Sequence, residues 1–135
     1  MVKISNRLMT AAALVTQGYT LADVGTDHGY IPIYLLQQKK IPAAIAMDIN
    51  EGPLERAKEH IALYGLQAYI QTRLSDGVAA LKPGEVEAVL IAGMGGETIS
   101  AILSAAPWTR NGHMLLLQPM TKAADLRHWL ADNGY

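Results

Sequence analysis

Six aspartates occur among the 135 residues, and four of them, Asp23, Asp27, Asp48 and Asp76, stand at or just beyond the ends of short apolar runs. The first two belong to Asp23-Val24-Gly25-Thr26-Asp27-His28-Gly29, a glycine-rich turn that closes the run at residues 20–24. Its outline is that of a dinucleotide fingerprint, in which the middle glycine lets the backbone approach a pyrophosphate at a helix N-terminus. Asp27 holds that place here, and a carboxylate there repels phosphate and suits a cation. Asp48 follows Gly25 by 23 residues, close to the offset of about 20 at which an acid holds ribose hydroxyls in such folds. A single aspartate at a strand end is ordinary turn chemistry. The same charge on three adjacent crossovers, together with Gly25 and Gly29, is expected to converge on one crevice.

The ligand such a crevice suits carries cations, vicinal hydroxyls and an exocyclic amine, with no phosphate. S-adenosylmethionine has all of these: sulfonium and ammonium for carboxylates, ribose hydroxyls for Asp48, and an adenine amine for Asp76. A nicotinamide dinucleotide shares the Asp48 offset, and Asp27 separates the two readings. Methyl transfer to an atom that already has a lone pair requires positioning above all. The acceptor becomes cationic, so a polar or acidic lining near the methyl favours the transition state. Asp27 and His28 are the catalytic candidates, either of them meeting the methyl acceptor or the methionine part of the cofactor, and Tyr30 offers a stacking surface. Gly93, Gly95 and Gly96 permit close backbone approach to a ligand, and Met94 either lines the methyl pocket or fills core. His60, His113 and His128 lack metal-ligand spacing, so no metal is expected.

These residues need a scaffold that gathers strand ends. Residues 4–17 carry apolar positions at helical spacing, with Ser5 or Asn6 as cap. Apolar runs at 20–24, 43–47, 69–74, 86–92 and 114–117 read as five strands. Helices are expected at 31–38, from 52–53 to about 64, at 98–105 and at 122–133, with Pro32 tolerated in a first turn. Strands alternating with helices imply a parallel sheet covered on both faces, with ligands outside the strands' carboxyl ends. The expected fold is therefore α/β, a Rossmann-like, doubly wound, mostly parallel sheet within one domain, residues 1–135. No strand follows the fifth strand's helix, so the last edge strands of the sheet are expected to be missing.

Half of the residues are hydrophobic and 17% charged, while a domain of this size buries roughly 70% of the surface of its extended chain. Disorder is excluded as the dominant state. The absence of cysteine removes disulfides, thiolate metal sites and cysteine nucleophiles, and leaves a cytoplasmic location as the expectation. The apolar run at 86–94 falls short of the ~18 residues of a membrane span, and residues 1–20 lack a signal peptide's apolar block. The net charge of −1 advertises no polyanionic partner, though Lys3, Arg110 and Lys122 are candidates for phosphate contacts.

The segments at 23–32, 48–54, 73–77, 91–96 and 117–119, followed by Leu126-Arg127-His128-Trp129-Leu130, together resemble the bacterial tRNA (adenine-22-N1)-methyltransferase family over nearly the whole chain. The resemblance implies a class I methyltransferase that uses S-adenosyl-L-methionine to methylate adenine N1 in the tRNA D-arm region. Cofactor contacts would fall to Arg7 through the cofactor's carboxylate, to Asp23, Gly25, Thr26, Asp27 and Gly29 after the first strand, and to Asp48 and Ile49 after the second. Asp76 and Gly77 would serve after the third, and Ala92, Gly93 and Met94 after the fourth. Substrate contacts would fall to Tyr30, Gln118, Pro119 and Lys122. The Asn- or Asp-Pro-Pro-aromatic motif of exocyclic-amine methyltransferases is replaced by Ala92-Gly93-Met94-Gly95-Gly96, which fits a ring-nitrogen target. Gly29 stands where the family pattern has a small residue such as alanine, and Met120 where it has a polar one. The family also carries a C-terminal coiled-coil domain that grips tRNA and has no counterpart here. A small-molecule methyltransferase and a non-catalytic cofactor- or tRNA-binding module are the alternatives. The oligomeric state is not legible.

Overall fold

The structure, a computed structural model, describes residues 2–135. Five strands, β1 (Leu21–Val24), β2 (Ala44–Asp48), β3 (Ile70–Leu74), β4 (Ala88–Met94) and β5 (Met114–Pro119), form one sheet in the order β3-β2-β1-β4-β5. All four pairings are parallel. The helices are α1 (Asn6–Ala13), α2 (Tyr30–Gln37), α3 (Glu51–Leu63), α4 (Gly96–Ser104) and α5 (Ala123–Asp132), with a 3-10 turn at Pro107–Arg110 that the sequence pattern does not announce. This is the doubly wound, Rossmann-like arrangement.

Alternation along the central strands builds two cores. Leu21, Ala44, Ala46 and Leu90 face one side, under Ala11 and Ala12 of α1, Ile33 and Leu35 of α2 and Ile61 of α3. Ala22, Val24, Met47, Val89 and Ile91 face the other, under Ile99 and Leu103 of α4 and Leu126 of α5. Strands β1 and β2 are buried along their whole length, as expected of a parallel sheet covered on both faces. Strand β5 is an edge, and only Leu116 in it is buried.

Three of the boundaries that differ from expectation have a visible cause. Helix α1 stops at Ala13 because Lys40 Nζ donates to the carbonyls of Ala12 (3.3 Å) and Ala13 (2.9 Å), capping it early. Strands β4 and β5 each continue two residues past the apolar run, to Met94 and Pro119, since each gains pairing from the other. The register of that pair shifts between Ala92 and Met94. Gly93 is thus the extra residue of a bulge, a device that re-aims the side chain that follows it.

Candidate functional site

The strand order reverses between β1 and β4, and a cavity of about 350 Å³ opens at their carboxyl ends. Arg7, Asp23, Gly25, Thr26, Asp27, His28, Tyr30, Ala92, Gly93 and Met94 line it, with Leu8 and Ile31 completing the wall. A second cavity of about 130 Å³ lies over the ends of β1 and β2 and the start of α4. Asp48, Ile49, Asp76 and Gly77 line this one, with Ser75, Thr98 and Ile102. The four aspartates line two adjoining parts of this crevice, Asp23 and Asp27 the larger and Asp48 and Asp76 the smaller. Gly25 and Met94 belong to both cavities and form the boundary. The Met94 methyl lies 2.5 Å from where a Cβ on Gly25 would stand, so a side chain there would push the flexible thioether aside, and the φ of +72° at this position itself favours glycine.

Asp23 is buried, and its Oδ2 accepts a hydrogen bond from Thr26 Oγ1 at 2.8 Å. Burial pushes its carboxyl up to about 7; the Thr26 hydrogen bond opposes this and the charge of Asp48 adds to it. Asp48 fastens the turn as well as lining its cavity. Its Oδ2 accepts from the Asp27 N–H (3.2 Å) and its Oδ1 from the Asn50 N–H (3.1 Å), which leaves carboxylate lone pairs for a ligand. Ile49 is 59% exposed and offers a flat apolar wall.

Asp27 has a φ of +55°, a conformation that aspartate tolerates better than most residues. Its carboxylate lies 3.6 Å from His28 Nε2 and 3.7 Å from Arg56 Nη2 of α3. The rings of His28, Tyr30 and His60 lie nearly parallel, with centroids 5.0 to 5.5 Å apart. His60 Nδ1 is 2.8 Å from the His28 carbonyl. His28 Nδ1 is buried without a hydrogen-bond partner. Across the mouth, Arg7 Nη1 donates to Gln118 Oε1 at 3.4 Å and reaches Met120 Sδ at 3.6 Å, joining α1 to the end of β5.

Other expected site residues stand elsewhere. Gly29 lines neither cavity; it caps α2 with a φ of +74°, which favours glycine, and a Cβ there would make only an ordinary contact with Ala57 of α3 at 3.4 Å. Gly95 and Gly96 face the turn after β5: a Cβ on Gly95 would lie 2.9 Å from Thr121 Oγ1, the Gly96 N–H donates to the Thr121 carbonyl at 2.8 Å, and a Cβ on Gly96 would lie 2.6 Å from the Lys122 carbonyl oxygen. Pro119 pairs with Met94 at the rim. Lys122 lines neither cavity, with its Nζ 3.8 Å from Glu97 Oε1. Arg110 donates to the Asn133 carbonyl at 2.8 Å. Among the described residues no three histidine, aspartate or glutamate side chains are placed to hold a metal. Arg56, Ser75, Thr98 and Ile102 were not singled out from the sequence, and His60 was weighed there only as a metal ligand. The spacing of Arg56 and His60, four apart and so on one helix face, was the available signal.

A parallel sheet in this order, with an acidic crevice at its reversal point and no phosphate cradle, defines a Rossmann-like fold suited to a cationic nucleoside ligand. The chain belongs to the methyltransferase domain family, which matches residues 4–135. It is 40% identical over 134 residues to the tRNA (adenine(22)-N(1))-methyltransferase of Bacillus subtilis, covering 98% of this chain and 56% of that protein. The Streptococcus pneumoniae protein Sp1610 in complex with S-adenosyl-L-methionine superposes with a TM-score of 0.93 at 42% identity, over 98% of this chain and 63% of that one. M. capricolum TrmK in complex with S-adenosyl-homocysteine gives 0.83 at 36%, over 96% and 57%. The chain thus spans between about half and two thirds of the length of these relatives.

Proposed function

We propose that the chain is the cofactor-binding domain of an S-adenosylmethionine-dependent enzyme that methylates adenine N1 in tRNA. The observation that carries this reading is the pair of acid-lined cavities meeting at Gly25, set beside the relatives named above. The donor set fits the cofactor. Asp23 and Asp27 would face the amino-acid and sulfonium side, Arg7 its carboxylate, Asp48 the ribose and Asp76 the adenine amine, against Ile49.

Bound there, S-adenosylmethionine would supply an electrophilic methyl for a C–N bond to the base, with its own C–S bond breaking and its positive charge passing to the base. N1 already has a lone pair, so the protein's residues have no proton to remove from it. Their work is orientation and electrostatics. Tyr30 and His28 present ring faces beside the first cavity, and Asp27 sets a negative charge where the base becomes cationic. Gln118 and Pro119 border the entrance, and Lys122 is placed outside it for a phosphate. A tRNA substrate also implies a cytoplasmic location, and among the described residues no helix is long and apolar enough to cross a membrane.

The test is transfer of labelled methyl to unmodified bacterial tRNA, with the product nucleoside identified by mass. N1-methyladenosine is expected. Label in low-mass acceptors alone would move the assignment to a small-molecule methyltransferase, and S-adenosylhomocysteine binding without transfer would leave a binding module.

A further inference from the structure

Arg56, Ala57 and His60 lie on one side of α3, and all three meet the turn between β1 and α2. Arg56 approaches the Asp27 carboxylate, Ala57 underlies Gly29, and His60 reaches both the His28 carbonyl and the Tyr30 ring. We propose that His60 is a positioning residue, which fixes His28 and Tyr30 in the arrangement they present to an acceptor base; this rests on the reading of residues 27–30 as the acceptor-facing turn.

A carbonyl only accepts, so His60 Nδ1 carries the proton in its 2.8 Å contact with His28. The imidazole is thereby tied at one atom and held flat against two rings, with centroids 5.3 Å from Tyr30 and 5.5 Å from His28. His28 has no comparable anchor of its own. Its Nδ1 is without a partner, and its Nε2 lies 3.6 Å from Asp27, beyond hydrogen-bond length. The ring of His28 is therefore oriented by its backbone and by stacking, and His60 supplies part of both. The turn also contains Asp27 at positive φ, a conformation that persists where the surroundings enforce it. Asp48 holds the Asp27 N–H, and helix α3 backs the rest of the turn from behind, outside the cavity, through Ala57 under Gly29 and His60 on the His28 carbonyl.

The test uses the full chain with His60→Ala, His60→Phe and His60→Asn, with unmodified bacterial tRNA as acceptor. His60→Phe keeps a ring and loses the donor; His60→Asn keeps a donor near the Nδ1 position and loses the ring. His60→Ala and His60→Phe are expected to lower kcat by about tenfold to a hundredfold, as small displacements at a reacting centre do. The KM for S-adenosylmethionine is expected to stay within about twofold, because the residues that hold most of the cofactor are untouched, and His60→Asn should recover part of the loss. With an active wild type, unchanged kcat in His60→Ala overturns the proposal, as does a fall in cofactor affinity equal to the fall in kcat.

If the wild type transfers no methyl to tRNA, the proposed function fails, and imidazole 15N spectra decide the positioning separately. An Nδ1-protonated His60, with His28 and Tyr30 ring signals displaced in His60→Phe, supports it. Unchanged ring signals in that variant overturn it.

Discussion

Asp23 and Asp48 do different work although both are buried carboxylates at strand ends. In the unfolded chain Asp23 loses its proton near 3.8 and in the folded chain near 7. Between those values the native state holds the extra proton, so this group makes stability fall as pH rises, with no further change above 7. The full effect is on the order of 4 kcal/mol. Urea denaturation at pH 5 and pH 8 should therefore show a smaller loss for Asp23→Asn than for the wild type; equal losses would mean that Asp23 ionises normally. A ligand ammonium binds the ionised form, so S-adenosylhomocysteine affinity is expected to rise from pH 5 to 7 and level off, with the rise absent in Asp23→Asn. Asp48 carries a different prediction. Asp48→Ala removes a ligand acceptor and frees the Asp27 N–H, and calorimetry should show S-adenosylhomocysteine affinity lower by about tenfold to a hundredfold, the range of a charged hydrogen bond. Wild-type affinity would remove Asp48 from the site. Both aspartates were legible in the sequence because charge at the end of an apolar run is a local signal. That Asp48 also holds the Asp27 backbone was not, since it depends on β1 and β2 lying side by side.

The element that most needs its neighbours is the turn between β4 and α4. Its glycines read as ligand-facing from the sequence, yet Gly96 is buried against the backbone of Thr121 and Lys122. Gly96→Ala is predicted to destabilise the fold by roughly 1–3 kcal/mol, the usual result of forcing atoms into packed space, measured as a lower urea midpoint at unchanged slope. A neutral outcome would show that the β5–α5 turn yields easily. The bulge at Gly93 was illegible for a related reason: it exists only relative to the register of β5. Helix α3 makes the same point. Its exposed polar face reads as solvated surface until the right-handed crossover sets it behind residues 27–30.

At the scale of the molecule, the alternation of strand and helix sufficed to give the sheet, its parallel sense and the edge along which the four strand-end aspartates stand. It could not give the partition of that edge, which is made by one methionine standing over one glycine. The smaller compartment, at about 130 Å³, falls below the roughly 300 Å³ at which ligand sites usually begin; it adjoins the larger one at Gly25 and Met94 and a further cavity of about 570 Å³ at Asp76, Gly77, Thr98 and Ile102. Adenosine or methionine alone can enter one compartment and leave Met94 in place, whereas a molecule comprising both must displace its methyl. Moving a side chain off its preferred rotamer takes about 0.5–1.5 kcal/mol, so the ratio of S-adenosylhomocysteine to adenosine affinity should rise about two- to tenfold in Met94→Ala. An unchanged ratio would show that the thioether is no barrier. A rise in that ratio would mean that Met94 makes the whole ligand bind less tightly than its two fragments, added together, would imply, so that the crevice would respond to the length of what enters it as well as to its charge.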